Sequence, residues 1–207
     1  MTKSIAILGA GKLGTVLTQL AIKAGYTVYV AGSGTADKIK LTVSVLMPGA
    51  IATDAKTASA KADIIILAIP LNKYRTLPAS QLTGKLVIDA TNYWWEVDGH
   101  DPSLAQPKDS TSQMVQRFLA GSRIVKALSH MGYHHLLDEA RPTDAPGRKA
   151  IAVAGDDPAD IAAVSQLVDN LGFDPVVIGK LARGKLLEPG QPAFGANVDA
   201  ATLKSYF

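Results

Sequence analysis

The sequence contains no cysteine. That absence excludes disulfides, thiolate zinc sites, iron–sulfur clusters and cysteine nucleophiles together, and it agrees with a reducing cytoplasm. Charge is sparse: 21 Lys and Arg against 18 Asp and Glu leave +3, and charged residues are 19% of the chain. No basic run of the kind that follows a phosphate backbone occurs, so a nucleic-acid partner is not expected. Long apolar runs are missing too. The longest, Ile64 to Pro70, falls far short of the ~20 residues a membrane span needs. The start, Met1-Thr2-Lys3 and then Ser4-Ile5-Ala6-Ile7-Leu8, has the outline of a signal peptide. Gly9, Gly11, Lys12 and Gly14 interrupt its apolar core and no small-residue cleavage site follows cleanly. An intracellular, soluble, cytoplasmic protein is expected. No G-x-S-x-G occurs, which leaves a hydrolase elbow without support.

What is present is a chain of 207 residues, 47% hydrophobic, enough for one domain or a domain with a modest appendage. Apolar runs alternate with helical patterns. Strands are expected at Ser4–Leu8, Thr27–Val30, Ala50–Thr53, Asp63–Ile69, Leu86–Asp89 and Arg123–Leu128. Leu13, Val16, Leu17, Leu20, Ala21 and Ala24 recur at helical spacing until Gly25. Further helices are expected over Ala36–Leu46, Asp54–Lys61 and Ser112–Ala120. The alternation predicts an α/β fold, a Rossmann-type doubly wound, mostly parallel sheet with a small C-terminal extension. In that extension Ala150–Ala154 and Asp174–Ile178 read as strands, Pro158–Leu171 as a helix, and a last helix starts at Asp199. A soft boundary near Ser129 to Arg148 separates a dinucleotide-binding region, residues 1–128, from a region, residues 129–207, that completes the sheet and an acceptor pocket.

In such sheets ligands bind beyond the carboxyl ends of the strands. The turn Gly9-Ala10-Gly11-Lys12-Leu13-Gly14 follows the first strand and opens an amphipathic helix. Gly9 permits the tight turn, Gly11 lets the backbone approach a pyrophosphate, and Gly14 lets helix and strand pack closely. The helix amides then face the ligand's negative charge. After the second strand, an NAD site would place an Asp or Glu on the adenine ribose. Here no acidic residue lies between Gly14 and Asp37. Gly32 and Gly34 expose amides, Ser33 and Thr35 offer hydroxyls and Lys38 offers charge for a 2′-phosphate, so NADP is expected over NAD.

Ile69, Pro70 and Asn72 follow the most hydrophobic strand, and Ala90, Thr91 and Asn92 follow the next. Both loops lie where the nicotinamide ribose and carboxamide would sit, although the two asparagines can equally serve as local caps. Tyr93-Trp94-Trp95 puts both tryptophans on one loop, as a ring platform or as part of a subunit interface. His130, Tyr133 and His134 are candidates for the pocket wall. His130 and His134 are four apart, but Gly132 lies between them and no glutamate follows His130, so no metal is expected. His135 reads as a structural histidine.

Taken in order, the turn from Gly9 to Gly14, Ala31-Gly32-Ser33, Ile69-Pro70, Ala90-Thr91-Asn92, Lys126 through His134 and Gly155-Asp156-Asp157 resemble the coenzyme F420-dependent NADP oxidoreductase family. The likeness is strongest to its bacterial branch of small dinucleotide-binding reductases. Leu171-Gly172-Phe173-Asp174-Pro175 and Leu187-Glu188-Pro189-Gly190 continue it. The resemblance implies a Rossmann domain, a homodimer, and hydride transfer between NADPH and a flavin or deazaflavin ring. That chemistry depends on positioning more than on acid–base groups. It also implies that Ala10, Gly11, Lys12 and Leu13 hold the pyrophosphate, that Ser33 and Lys38 hold the 2′-phosphate, and that His130 and its neighbours border the ring stack. Two other readings of the residues stay open. One is an NADP(H)-binding redox sensor without turnover. The other is a reductase of a small imine or 2-oxo acid, for which Lys73, Tyr74 and Tyr133 are the candidate general acids.

Overall fold

The computed structural model describes residues 3–105 and 107–207; Met1 and Thr2, the head of the leader-like start, lie outside them. Eight strands form one sheet. Six of them, β1 (Ser4–Leu8), β2 (Thr27–Ala31), β3 (Ile51–Thr53), β4 (Ile64–Leu67), β5 (Leu86–Asp89) and β6 (Arg123–Lys126), run parallel in the order β3-β2-β1-β4-β5-β6. Their order reverses around β1, which has β2 on one side and β4 on the other.

Side chains alternate between the two faces of each strand. Ile5, Ile7, Ile64, Ile66, Ile88 and Val125 enter one core layer, under the helix α1 (Lys12–Lys23). Ala6, Leu8, Ile65, Leu67, Val87 and Ile124 enter the other. Both faces are covered, which is why β4 reads Ile-Ile-Ile-Leu with no polar residue. The helix expected over Ala36–Leu46 is interrupted. A single 3-10 turn, Ala36–Lys38, precedes α2 (Lys40–Leu46).

The remaining helices of the first six strands are short, and two carry side-chain caps. In α3 (Ala55–Lys61) the Asp54 carboxylate accepts from Thr57 N–H at 2.9 Å. Two single turns, α4 (Trp95–Asp98) and α5 (Pro102–Ala105), follow β5. The next helix, α6 (Thr111–Phe118), starts on a reciprocal capping box between Ser110 and Gln113.

Beyond β6 the chain forms α7 (Tyr133–Glu139), β7 (Ala150–Gly155), α8 (Pro158–Asn170), β8 (Asp174–Gly179) and α9 (Ala200–Lys204). At α8 the Asp157 carboxylate accepts from Ala159 and Asp160 N–H, and Pro158 takes the first helical position. Strands β7 and β8 are parallel to each other, but β7 meets β6 antiparallel through two pairs, Val125 with Gly155 and Lys126 with Ala154. The extension therefore continues the same sheet in the opposite direction. Its outer layer is built from Ala150, Ala152, Ala154, Val176, Ile178, Leu187, Ala193 and Leu203.

Candidate dinucleotide and acceptor site

The three glycines after β1 do three different things. Gly9 has φ +128°, and a Cβ there would sit 2.1 Å from the Ala68 carbonyl oxygen, so the turn presses against the chain leaving β4. A Cβ on Gly14 would lie 1.9 Å from the Gly9 oxygen, which is the close packing of helix on turn. A Cβ on Gly11 would meet nothing within 4 Å. Gly11 is the N-cap of α1 and offers no capping side chain, and the first turn of α1 has no acid. The helix start is thus uncapped, open and free of negative charge, which suits an anion. Ala10 and Leu13 are part-buried against the core, while Lys12 is exposed with its ammonium 5.6 Å from the centroid of the Tyr133 ring.

At the end of β2, Ser33 and Thr35 are exposed and Gly32 and Gly34 half-buried. Asp37 and Lys40 form an ion pair at 2.5 Å, and the Lys40 ammonium holds the Asp37 carboxyl below its ordinary value. Lys38 takes part in no salt bridge among the described residues.

Both expected asparagines have structural partners. The Asn72 side chain donates to the Asp98 carbonyl at 2.9 Å, and its backbone N–H to the Asp98 carboxylate at 2.8 Å. The other Asp98 oxygen accepts from Trp94 N–H at 2.7 Å. Asn72 and Asp98 thus staple the tryptophan loop onto the chain after β4, beside half-buried Ile69 and exposed Pro70. Asn92 donates to the carbonyls of Ser129, at 2.9 Å, and Leu187, at 3.0 Å, tying three segments together at the sheet's carboxyl edge. Its Oδ1 and the Ser129 hydroxyl are buried without a partner. They are acceptors and a donor that a carboxamide could engage.

Beneath this loop lies a polar group that the sequence reading did not single out. Asp89, at the end of β5, is fully buried. It accepts from Thr91 N–H (3.0 Å), the Thr91 hydroxyl (2.7 Å) and the Ser112 hydroxyl (2.6 Å). Lys126, at the end of β6, is equally buried; its ammonium lies 3.5 Å from Asp89 and donates to the Thr91 carbonyl. Together they fix Ala90, Thr91 and Asn92. The signal was available: two adjacent apolar strands, Leu-Val-Ile-Asp and Arg-Ile-Val-Lys, each close on a charge of opposite sign.

His130 is 2% exposed. Its Nε2 accepts from Ala152 N–H at 3.0 Å, and burial lowers its pKa to about 4. It is neutral and points into the extension. Tyr133 and His134 are exposed on α7, and His135 is half-buried there. Trp94 stacks on Phe194 at 5.8 Å, so the C-terminal segment reaches the tryptophan loop, while Trp95 stacks on His100. Of the candidate general acids, Tyr74 is buried edge-on against Phe118 and Lys73 is exposed. No group of three or more His, Asp or Glu that could hold a metal occurs among the described residues.

Residues 4–93, the segment from β1 through the Asn92 loop, match the family model described as NADP oxidoreductase, coenzyme F420-dependent. This segment belongs to that family. The chain is also 40% identical to the Escherichia coli protein YjhV over 73 residues, which are 35% of this chain and 53% of that one. It is 24% identical over 186 residues to the metalloreductase STEAP3 of Rattus norvegicus, covering 89% of this chain and 35% of the relative. The matches thus span about half, or less, of the length of these curated relatives. Among solved structures, the hypothetical protein SMa0349 of Sinorhizobium meliloti superposes with a TM-score of 0.80. Its identity is 24%, over 96% of this chain and 95% of that one. This last likeness extends the shared fold through β7 and β8. No helix of the described residues is long and apolar enough to cross a membrane.

Proposed function

We propose that the protein is an NADPH-dependent oxidoreductase that transfers a hydride between NADP(H) and a planar, flavin- or deazaflavin-like acceptor, working as a cytoplasmic homodimer. The observation that carries the reading is the turn from Gly9 to Gly14. It has two glycines pressed against backbone and a third facing open space at the uncapped start of a helix. Membership of residues 4–93 in an NADP oxidoreductase family supports it.

NADP(H) fits the residues present. The amides at the start of α1, with Gly9, Ala10, Gly11, Lys12, Leu13 and Gly14, would hold the pyrophosphate. Gly32, Ser33, Thr35 and Lys38 would hold the phosphorylated ribose. The unpartnered Asn92 Oδ1 and Ser129 hydroxyl would receive the carboxamide, with Ile69, Pro70, Ala90 and Thr91 beside it. Asn72 acts one step away, by holding the tryptophan loop through Asp98. When bound, NADPH supplies the hydride. The protein's own part is to orient two rings and keep water from between them, and for this the fixed loop over Asp89 and Lys126 matters more than a proton donor. The Trp94–Phe194 stack and the Tyr133 ring give a planar acceptor aromatic neighbours.

The test is loss of NADPH absorbance against FMN, FAD, coenzyme F420, a quinone and a ferric chelate, repeated with NADH. The chelate is included because the rat relative is named a metalloreductase. Turnover with a ring acceptor and preference for NADPH is the expected result. Tight NADPH binding with no turnover on any acceptor would favour the sensor reading.

A further inference from the structure

The loop after β2 is overlain by a lysine that does not belong to it. A Cβ built on Gly34 would lie 3.0 Å from Lys38 Cδ, 3.4 Å from Cε and 3.3 Å from Nζ. The Lys38 chain therefore lies in the notch that residue 34 leaves by having no side chain. The root of the lysine is fixed by the 3-10 turn Ala36–Lys38, where Lys38 N–H donates to the Thr35 carbonyl at 3.2 Å. A second glycine helps to shape the loop: a Cβ on Gly32 would come within 2.8 Å of Ile39 Cγ2. The neighbouring charges cancel, since Asp37 and Lys40 are paired. What remains is one uncompensated ammonium laid across a loop with two exposed hydroxyls, Ser33 and Thr35, at the carboxyl end of β2.

We infer that Gly34 is a determinant of coenzyme choice: its missing side chain seats Lys38 across the loop, and the seated ammonium selects a 2′-phosphorylated adenosine. The inference rests on the NADP(H) reading above and adds to it a residue that itself carries no charge. A lysine free in solvent is strongly hydrated and loses rotamer freedom when it binds an anion. One already lying over the loop loses less, so filling the notch should weaken recognition of the phosphate without removing any charge. Gly34 has no positive φ, so alanine is tolerated by the backbone and the effect falls on Lys38.

The experiment is titration of the full chain with adenosine 2′,5′-bisphosphate, AMP, NADPH and NADH, for wild type, Gly34→Ala, Lys38→Ala and the double variant. Wild type should bind the bisphosphate and NADPH more tightly than AMP and NADH. Lys38→Ala should lose roughly 10- to 100-fold for the two phosphorylated ligands, the range for one charge pair at a partly screened surface. Gly34→Ala should lose roughly 5- to 20-fold for the same two, with NADH within about twofold, which also reports an intact fold. The double variant should be no weaker than Lys38→Ala alone. Phosphorylated ligands bound as in wild type by Gly34→Ala, or losses that multiply in the double variant, would overturn the inference and leave the NADP(H) reading standing. Equal binding of AMP and the bisphosphate by wild type would overturn both.

Discussion

At the scale of single residues, the glycine turn separates stability from binding. Gly14→Ala places a methyl 1.9 Å from the Gly9 oxygen, and backbone on both sides has to move. A loss of about 2–3 kcal/mol in urea denaturation is expected. Gly11→Ala meets open space and should change stability by less than about 0.5 kcal/mol. Its methyl enters the space proposed for the pyrophosphate, however, so NADPH affinity should fall roughly tenfold or more. An unchanged NADPH affinity for Gly11→Ala would place the pyrophosphate elsewhere. The buried pair below the Asn92 loop is asymmetric in the same instructive way. Lys126→Met leaves Asp89 with its bonds from Thr91 and Ser112. Asp89→Ala leaves a buried ammonium with the Thr91 carbonyl alone and no counter-charge, and should cost about 3–5 kcal/mol. Denaturation of the two variants should therefore rank Asp89→Ala as clearly the less stable.

At the scale of elements, the loop that carries Trp94 and Trp95 is tied down by the Asp98 carboxylate together with the Asn72 bond to the Asp98 carbonyl and the Trp94–Phe194 stack. Asp98 is buried and accepts from Asn72 and Trp94 N–H, while Val97 and Trp95 beside it are largely exposed. Asp98→Ala should free the loop while the sheet stays formed. Because both tryptophans lie there, their fluorescence reports on this loop alone. A red shift and easier acrylamide quenching, with far-UV circular dichroism unchanged, is the expected result. Unaltered fluorescence would mean that the Trp94–Phe194 stack suffices without Asp98. Periodicity made most elements legible, because strands buried on both faces and capped helices advertise themselves in composition. It did not reveal that β7 runs against β6, since two strands joined through a long connection look alike in either direction. Nor did it find α7: Gly132 stands between His130 and His134, and only Leu136 on that helix is deeply buried. The Asn72–Asp98 staple was invisible for another reason, being a contact between residues 26 apart.

At the scale of the whole molecule, the question is how an inverted pair of strands is joined to a parallel sheet. The β6–β7 ladder is only two pairs long, and Leu128, just past its end, has a positive φ of 59°, so backbone pairing cannot continue. The next free amide of β7 is taken by a side chain: Ala152 N–H donates to His130 Nε2. The histidine also anchors the C-terminal segment, since its carbonyl accepts from Gly195 N–H at 2.7 Å. As an acceptor at Nε2 the ring has to be neutral, and burial keeps it so, lowering its pKa from 6.5 to about 4. An unfolded chain binds this proton at higher pH than the folded one, so the stabilisation is complete above pH 6.5 and is lost as pH falls toward 4. By pH 5 the loss should be about 2 kcal/mol. The carboxylates whose pKa values are lowered, among them Asp54, Asp63, Asp199 and Glu139, have ordinary values of 3.8 to 4.5, so their contribution disappears mainly below pH 5. Urea denaturation from pH 7 to 5 therefore keeps these carboxylates out of the comparison, and the His130 variant is the control for the histidine. His130→Gln keeps an acceptor but cannot titrate; it should start less stable at pH 7 and lose almost nothing on the way to pH 5. If wild type and variant decline in parallel, the acid sensitivity lies elsewhere and His130 is not what fastens the extension to the sheet.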